Sequence, residues 1–295
     1  MKYKHNILAF FLTVFFQTAF SQDMMDLLEE EAPTKEFVKN AFKSTRVINS
    51  HSLEFIGKGV LDVRILHRFG AINGGAYEAF GIDQARVRLG LDYGISPRFM
   101  IGIGRSSYKK EADAFMKYRL LWQSTGKKSI PFSMILVSGI TNSFLKWEYP
   151  ERKNYYTSRL GYYNELIIGR KFSESFSLQI SPTHVHRNIV KTSSEKHDIL
   201  AIGTGARIKL TRRLAITIDY IYQLPNQQLL NVQQPLAIGF DIETGGHVFQ
   251  LHFTNALGMN ERILITETDG KWNKGDVHFG FNISRVFSLT SNKNK

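Results

Sequence analysis

The sequence predicts an all-β fold: a transmembrane, antiparallel, up-and-down β-barrel of about twelve strands behind a short N-terminal periplasmic arm. Three observations predict it. From about Val60 onward the apolar residues recur with a period of two, and the apolar faces are rich in aromatic residues, as in Leu214, Ile216, Ile218, Tyr220 and Tyr222. The opposite faces mix charge with glycine, as in Gly203, Gly205 and Arg207; a narrow lumen needs small residues to make room for long side chains from across the barrel. Connection lengths alternate, tight turns such as Ser96-Pro97-Arg98 and Ser124-Thr125-Gly126 with links such as Phe69 to Asp83, Asn142 to Tyr156 and Leu257 to Asp276, as expected for short periplasmic turns and longer external loops.

The chain opens with Lys2 and Lys4, an apolar stretch from about Ile7 to Phe20, and Ala19-Phe20-Ser21 before Gln22. This reads as a signal peptide, 1–21, cleaved after Ser21, and hence as export; together with the barrel pattern it gives the bacterial outer membrane as the expected location. The alternative is an anchoring helix, for which the apolar run is short. Residues 22–59 form an N-terminal periplasmic arm. Within it Thr34 is a candidate N-cap for a small helix carrying Phe37, Val38, Ala41 and Phe42 on one side; a disordered leader is the other reading. The stretch Ser44 to Gly59 is left over from an even strand count. It is read as a plug or seal with Arg46 and His51 as its candidate residues, or else as one mis-split strand.

Residues 60–289 make the barrel. QARVRLGLDYG (84–94) sets Ala85, Val87, Leu89, Leu91 and Tyr93 against Arg86, Arg88, Gly90 and Asp92, so the first set is assigned to lipid and the second to the interior. The final strand ends on Phe287, an aromatic end of the kind by which barrels are recognised for insertion, and residues 290–295 are a polar tail.

The interior positions read this way are Arg64, Arg68, Arg86, Arg88, Lys117, Arg119, Arg159 and Arg207, with Asp92, Glu165, Asp219, Asp241 and His252. Two consequences are open. Opposite charges pair across a small barrel, because an unpaired one is costly where water is scarce, or surplus cations leave a path that favours small anions. The formal net charge of +12 would suggest nucleic acid in a cytosolic protein, but export argues against that partner. Outer-membrane lipid, a small anionic solute, and a periplasmic or surface protein are the partners expected. The chain has no cysteine, which excludes disulfides, thiolate catalysis and cysteine metal sites.

Several segments, TRVINSHS (45–52), KGVLDVRILHRFG (58–70), GGAYEAFGIDQARVRLGLDYG (74–94), IGIGRSSY (101–108) and DIETGGHVFQLHFTNALGMNE (241–261), resemble an uncharacterised Bacteroidota family of β-barrel proteins classed as a domain of unknown function. The resemblance covers nearly all of the mature chain. It implies an outer-membrane barrel and carries no activity or catalytic residues.

No cofactor is expected. His184 and His186 lie two apart on one strand face and are weak metal candidates without a third ligand. His252 and His278 point inward, where a hydrogen-bond network is the plainer reading. The glycine pairs of IGIGRSSY and IGTGAR lie inside strands rather than at a strand-to-helix turn, so they form no phosphate loop, and no catalytic motif appears. Within the long link Leu257 to Asp276, ILITE is expected to form a hairpin arm over the mouth. The reading is a passive or gated channel for small anionic or polar solutes. Its alternatives are a non-conducting scaffold that binds an envelope partner and, more weakly, a barrel enzyme acting on lipid.

Overall fold

The computed structural model describes residues 34–226, 229, 231–244 and 247–289. The segment expected to be a signal peptide and the polar tail lie outside these residues. The strands, in chain order, are β1 (Glu36–Phe37), β2 (Val60–Ala71), β3 (Ala85–Ser96), β4 (Phe99–Ser106), β5 (Glu111–Leu121), β6 (Ser124–Thr125), β7 (Ser133–Ser143), β8 (Leu160–Lys171), β9 (Phe176–Arg187), β10 (Asp198–Lys209), β11 (Leu214–Gln223), β12 (Leu236–Thr244), β13 (His247–Thr254) and β14 (His278–Ser288). A single short α-helix among the described residues, α1, spans Glu261–Thr266.

Twelve of these strands form a closed antiparallel barrel, β2-β3-β4-β5-β7-β8-β9-β10-β11-β12-β13-β14, sealed by β14 pairing with β2. Closure removes every unpaired sheet edge from the wall, which is what lets strands cross a bilayer. Strands of 8 to 12 residues suit a tilted crossing of the hydrocarbon layer. The two strand ends nearest the chain termini, Val60 and Ser288, pair with each other and define one rim, here the near rim. Longer links, at 72–84, 144–159, 188–197 and 255–277, lie at the far rim.

The period of two does what the sequence predicts. On β3, Leu89 and Leu91 are exposed on the outer wall while Arg88, Gly90 and Asp92 are buried inside. On the outer wall near the far rim, the rings of Phe69 and Phe279 stack with centroids 5.7 Å apart and those of His67 and Phe281 at 4.8 Å. Glycines do make room inside: a Cβ at Gly104 would overlap the Arg88 guanidinium, and one at Gly139 the Tyr163 ring.

Three local expectations are corrected. The arm holds no helix over 34–42; Glu36 and Phe37 pair as β1 with β6, and Phe37 stacks on Trp122 at 4.6 Å. An isolated helix of two turns is marginal, and the hairpin between β5 and β7 offers backbone partners that win. That hairpin, spanning 122–132, is also longer than the tight turn expected at Ser124-Thr125-Gly126. β9 runs through Pro182 to Arg187, and the β8–β9 pairing is interrupted opposite Pro182, which has no N–H to give. Finally, ILITE is helical and buried rather than a hairpin arm. Asn260 caps it by accepting from the Ile263 N–H at 3.0 Å, and tertiary burial of Ile263, Leu264 and Ile265 overrides the strand preference of the isoleucines.

Candidate functional site

The lumen is occupied from both ends. Residues 41–56 enter from the near rim, and residues 255–268, with α1, enter from the far rim; most side chains of both are buried. Their apolar members, Phe42, Val47, Leu53, Ile56, Ala256, Leu264 and Ile265, join Met100, Phe115, Ile135, Val137, Tyr163, Ile167, Val185 and Ile199 of the wall in one core. This accounts for a feature of the sequence that alternation leaves out. SMILVSGI and LIIG are apolar on both faces because one face meets lipid and the other meets an inserted segment; doubly buried strands read as continuous apolar runs.

The near insert folds back on itself, the Val47 N–H donating to the Ser50 carbonyl at 2.9 Å and that of Ser52 to the Thr45 carbonyl at 3.0 Å. Backbone groups left over from this turn must be satisfied inside the barrel, and wall side chains satisfy them. Asp219 on β11 accepts from the N–H groups of Ile48, Asn49 and Ser50 at 3.3, 2.8 and 2.9 Å and from the Ser50 hydroxyl at 2.8 Å. The Lys117 ammonium donates to the carbonyls of Ser52 and Glu54 at 2.6 and 2.7 Å and to that of Thr45 at 3.4 Å. Gln179, Gln250 and Asn282 donate to the carbonyls of His51, Val47 and Ile48 at 2.7, 2.7 and 2.9 Å. Arg64 holds the hydroxyls of Ser44 and Thr45, Arg68 the side-chain oxygen of Asn49, and Arg119 the Leu53 carbonyl.

The two inserts meet at Arg46, whose Nη1 lies 2.9 Å from Glu261 Oε1 with both side chains fully enclosed. The far insert is fixed to the wall by Arg262, which pairs with Glu111 on β5 and with Glu267. Across β3 and β5, Arg88 grips Asp113 with two bonds, at 2.8 and 2.5 Å, the fork geometry that makes arginine–carboxylate pairs strong.

Of the interior positions read from sequence, Arg64, Arg68, Arg88, Asp92, Lys117, Arg119, Glu165, Arg207, Asp219, Asp241 and His252 are buried in the lumen, as are Arg46 and His51. Two lie elsewhere. Arg86 has the inward parity of Arg88 but belongs to the strand's first turns at the rim, where it is exposed and bonds its neighbour's carbonyl at Ala85. Arg159 precedes β8 in a 3₁₀ turn and braces the far-rim loop, donating to the carbonyls of Ser143 and Leu145 and covering the Trp147 ring. Sequence reading also missed Glu111, Asp113, Arg187 and Glu261. EADAF carries the signal for the first two, since Glu111 and Asp113 continue the inward parity of Lys117 and Arg119. With them, the described strands carry seven buried cations, Arg64, Arg68, Arg88, Lys117, Arg119, Arg187 and Arg207, and seven buried carboxylates, Asp62, Asp92, Glu111, Asp113, Glu165, Asp219 and Asp241, while Arg187 itself pairs with buried Glu195 of the far-rim loop.

His184 and His186 face outward on β9 near the far rim and both lie 2.8 Å from the same Asp198 oxygen. Among the described residues no cluster of three metal-ligating side chains suited to an ion is present.

His51 lies against the Phe115 ring, centroids 4.5 Å apart; its Nε2 is 3.4 Å from the Glu261 oxygen that Arg46 also holds, and neither ring nitrogen makes a hydrogen bond among the described residues. Burial, and then the positive charges of Arg46, Lys117, Arg88 and Arg64, hold its imidazole well below the ordinary value of 6.5. The inserted state therefore binds this proton less readily than a released segment. The contribution of neutral His51 is complete above about pH 6.5 and is lost as the pH falls below it. The protection factors of the amides over 44–52, which divide out the intrinsic pH dependence of exchange, are expected to fall between about pH 7.5 and about pH 5 in the unaltered protein and to stay level in His51→Asn.

Comparison with solved structures shows similarity to the NanC porin (9% identity, TM-score 0.49, covering 77% of this chain and 98% of that one). It is also similar to the KdgM porin (8%, 0.46, 77% and 99%) and to the outer membrane protein Omp33 of Acinetobacter baumannii (6%, 0.42, 77% and 97%). No curated protein matches the sequence. The profile of one family, described as "Membrane bound beta barrel domain (DUF5777)", matches residues 42–287. The match begins at Phe42, so the near insert is part of the family domain and not an appendage to it. Spanning well over half of the sequence, it makes this chain a member of that family of membrane-bound β-barrels.

Proposed function

We propose that the protein is a closed outer-membrane barrel, a non-conducting scaffold that presents its near-rim arm and far-rim loops to an envelope partner. The observation that carries this reading is the meeting of the two inserts at Arg46 and Glu261, inside a wall whose buried Asp219, Lys117, Arg64, Arg68 and Arg119 are bonded to the near insert. Bonds to charged groups are worth about 1.5–3 kcal/mol each, so an insert held by Asp219, Lys117, Arg64, Arg68 and Arg119 does not leave by thermal motion. The arm has a place to act from: β1 adds a strand to the near-rim hairpin and its own residues are exposed. Single-channel recording in a planar bilayer tests the reading. The full chain is expected to be electrically silent, and steady conductance would refute the proposal.

A second reading, a gated channel for small anionic or polar solutes, draws on one observation. Lys117 and Arg119 spend their donors mainly on backbone carbonyls of the near insert rather than on wall carboxylates. Withdrawal of residues 44–56 would turn these two cations toward the near mouth. Under this reading Asp219→Ala, which loosens the insert, converts a silent barrel into a conducting one; silence in that variant too leaves the scaffold.

A further inference from the structure

The outer wall carries a depression of about 840 Å³ below the far rim, and the strand register explains it. One outward row runs Ile65, Leu89, Arg105, Ala112, Asn142, Leu160 across β2, β3, β4, β5, β7 and β8. The row beneath runs Val63, Leu91, Ile103, Ala114, Ile140, Tyr162. Every position in these rows except those on β5 carries a side chain larger than alanine. Ala112 and Ala114 therefore form the floor of a groove whose walls are Ile65, Leu89, Leu91, Ile103 and Ile140. A second, smaller depression of about 340 Å³ shares Ala114 and Ile140 and extends it away from the rim.

The rim end of the groove is cationic. Arg105 is exposed beside Ala112, held over the Phe144 ring at 4.5 Å and bonded through Nη1 to the Lys110 carbonyl at 2.5 Å. A guanidinium has five donors, and this contact occupies one. Lys110, whose backbone makes that contact, is itself exposed. The single carboxylate among the lining residues, Asp113, is turned into the lumen and spent on Arg88, so it does not offset either cation. Tyr156 covers the lip and accepts from Asn142 Nδ2 at 2.9 Å, a ring with one apolar face and one polar end, as found where a membrane meets water.

We propose that this groove is a fixed binding site for one phospholipid of net negative headgroup charge, with an acyl chain over Ala112 and Ala114 and the anionic headgroup on Arg105 and Lys110. The volume lies in the range of ordinary ligand sites. Its lining matches the two halves of such a molecule: apolar where the wall is in hydrocarbon, and cationic where it reaches the headgroups. A flat apolar wall would exchange lipids indifferently; a floored groove under two cations would not.

The test uses the full chain in nanodiscs of equimolar phosphatidylglycerol and phosphatidylcholine, followed by extraction into mild detergent and native mass spectrometry. The unaltered protein is expected to retain one phosphatidylglycerol in preference to phosphatidylcholine by roughly tenfold, the scale of one charge-assisted bond. Ala112→Leu with Ala114→Leu fills the groove from the lipid side and is expected to abolish retention of either lipid. Arg105→Gln is expected to keep a bound lipid and lose the preference. Heat-dependent gel mobility confirms that each variant is a folded barrel. Equal retention of the two lipids by the unaltered protein, or retention in both folded variants that matches it, overturns the proposal.

Discussion

Replacing Asp219 by alanine is expected to release residues 44–52 from their seat in the lumen. One carboxylate accepts from three consecutive backbone N–H groups and a hydroxyl, and no other wall residue among those described takes the N–H groups of Ile48, Asn49 or Ser50. Alanine leaves all three donors enclosed without an acceptor. Each bond to a charged group is worth about 1.5–3 kcal/mol, and bonds that share one acceptor do not add, so the expected cost is on the order of 4 kcal/mol. An asparagine side chain at this position keeps one acceptor oxygen, and Asp219→Asn should recover part of that loss. Hydrogen exchange at Ile48, Asn49 and Ser50 in detergent micelles reads the effect residue by residue. Exchange in Asp219→Ala as slow as in the unaltered protein would show that the carboxylate is not what holds the segment.

The second large effect is expected at Glu261. Removing it by Glu261→Ala leaves the Arg46 guanidinium enclosed, with its bond to the Asn49 carbonyl and no carboxylate beside it. Breaking a buried pair from one side costs about 3–5 kcal/mol, whereas replacing both members by apolar residues of similar size is often neutral. The variant carrying both Arg46→Met and Glu261→Met is therefore expected to unfold close to the unaltered midpoint in urea, with the single variant well below it. A double variant as unstable as the single one would mean that the two inserts do not depend on each other through this contact.

Much of the wall was legible in the sequence. Arg64, Arg88 and Asp92 could be turned inward from their spacing alone, because a period of two leaves two choices and the aromatic, aliphatic face decides between them. Parity assigns a side and not a depth, which is why Arg86 reads like Arg88 yet lies at the rim, and why Arg159 reads as a wall residue yet precedes its strand. Glycine opposite charge correctly indicated a crowded interior. What the period does not encode is what does the crowding. TRVINSHS has neither helical nor strand periodicity, because its backbone is satisfied by Asp219, Lys117, Gln179, Gln250 and Asn282 rather than by a regular ladder. The nearest sequence signal was the failure of alternation in SMILVSGI and LIIG, where apolar residues on the inner face announce an apolar occupant.

The positions of the two inserts along the chain bear on how the molecule is assembled. Residues 41–56 run directly into β2, and residues 255–277 run directly into β14, and these are the strands whose pairing completes the ring. Each half of the filling is thus tethered to one lip of the final seam. A wall closed in this register without its two passengers would leave Asp219, Lys117, Arg64 and Arg119 without the insert groups they hold.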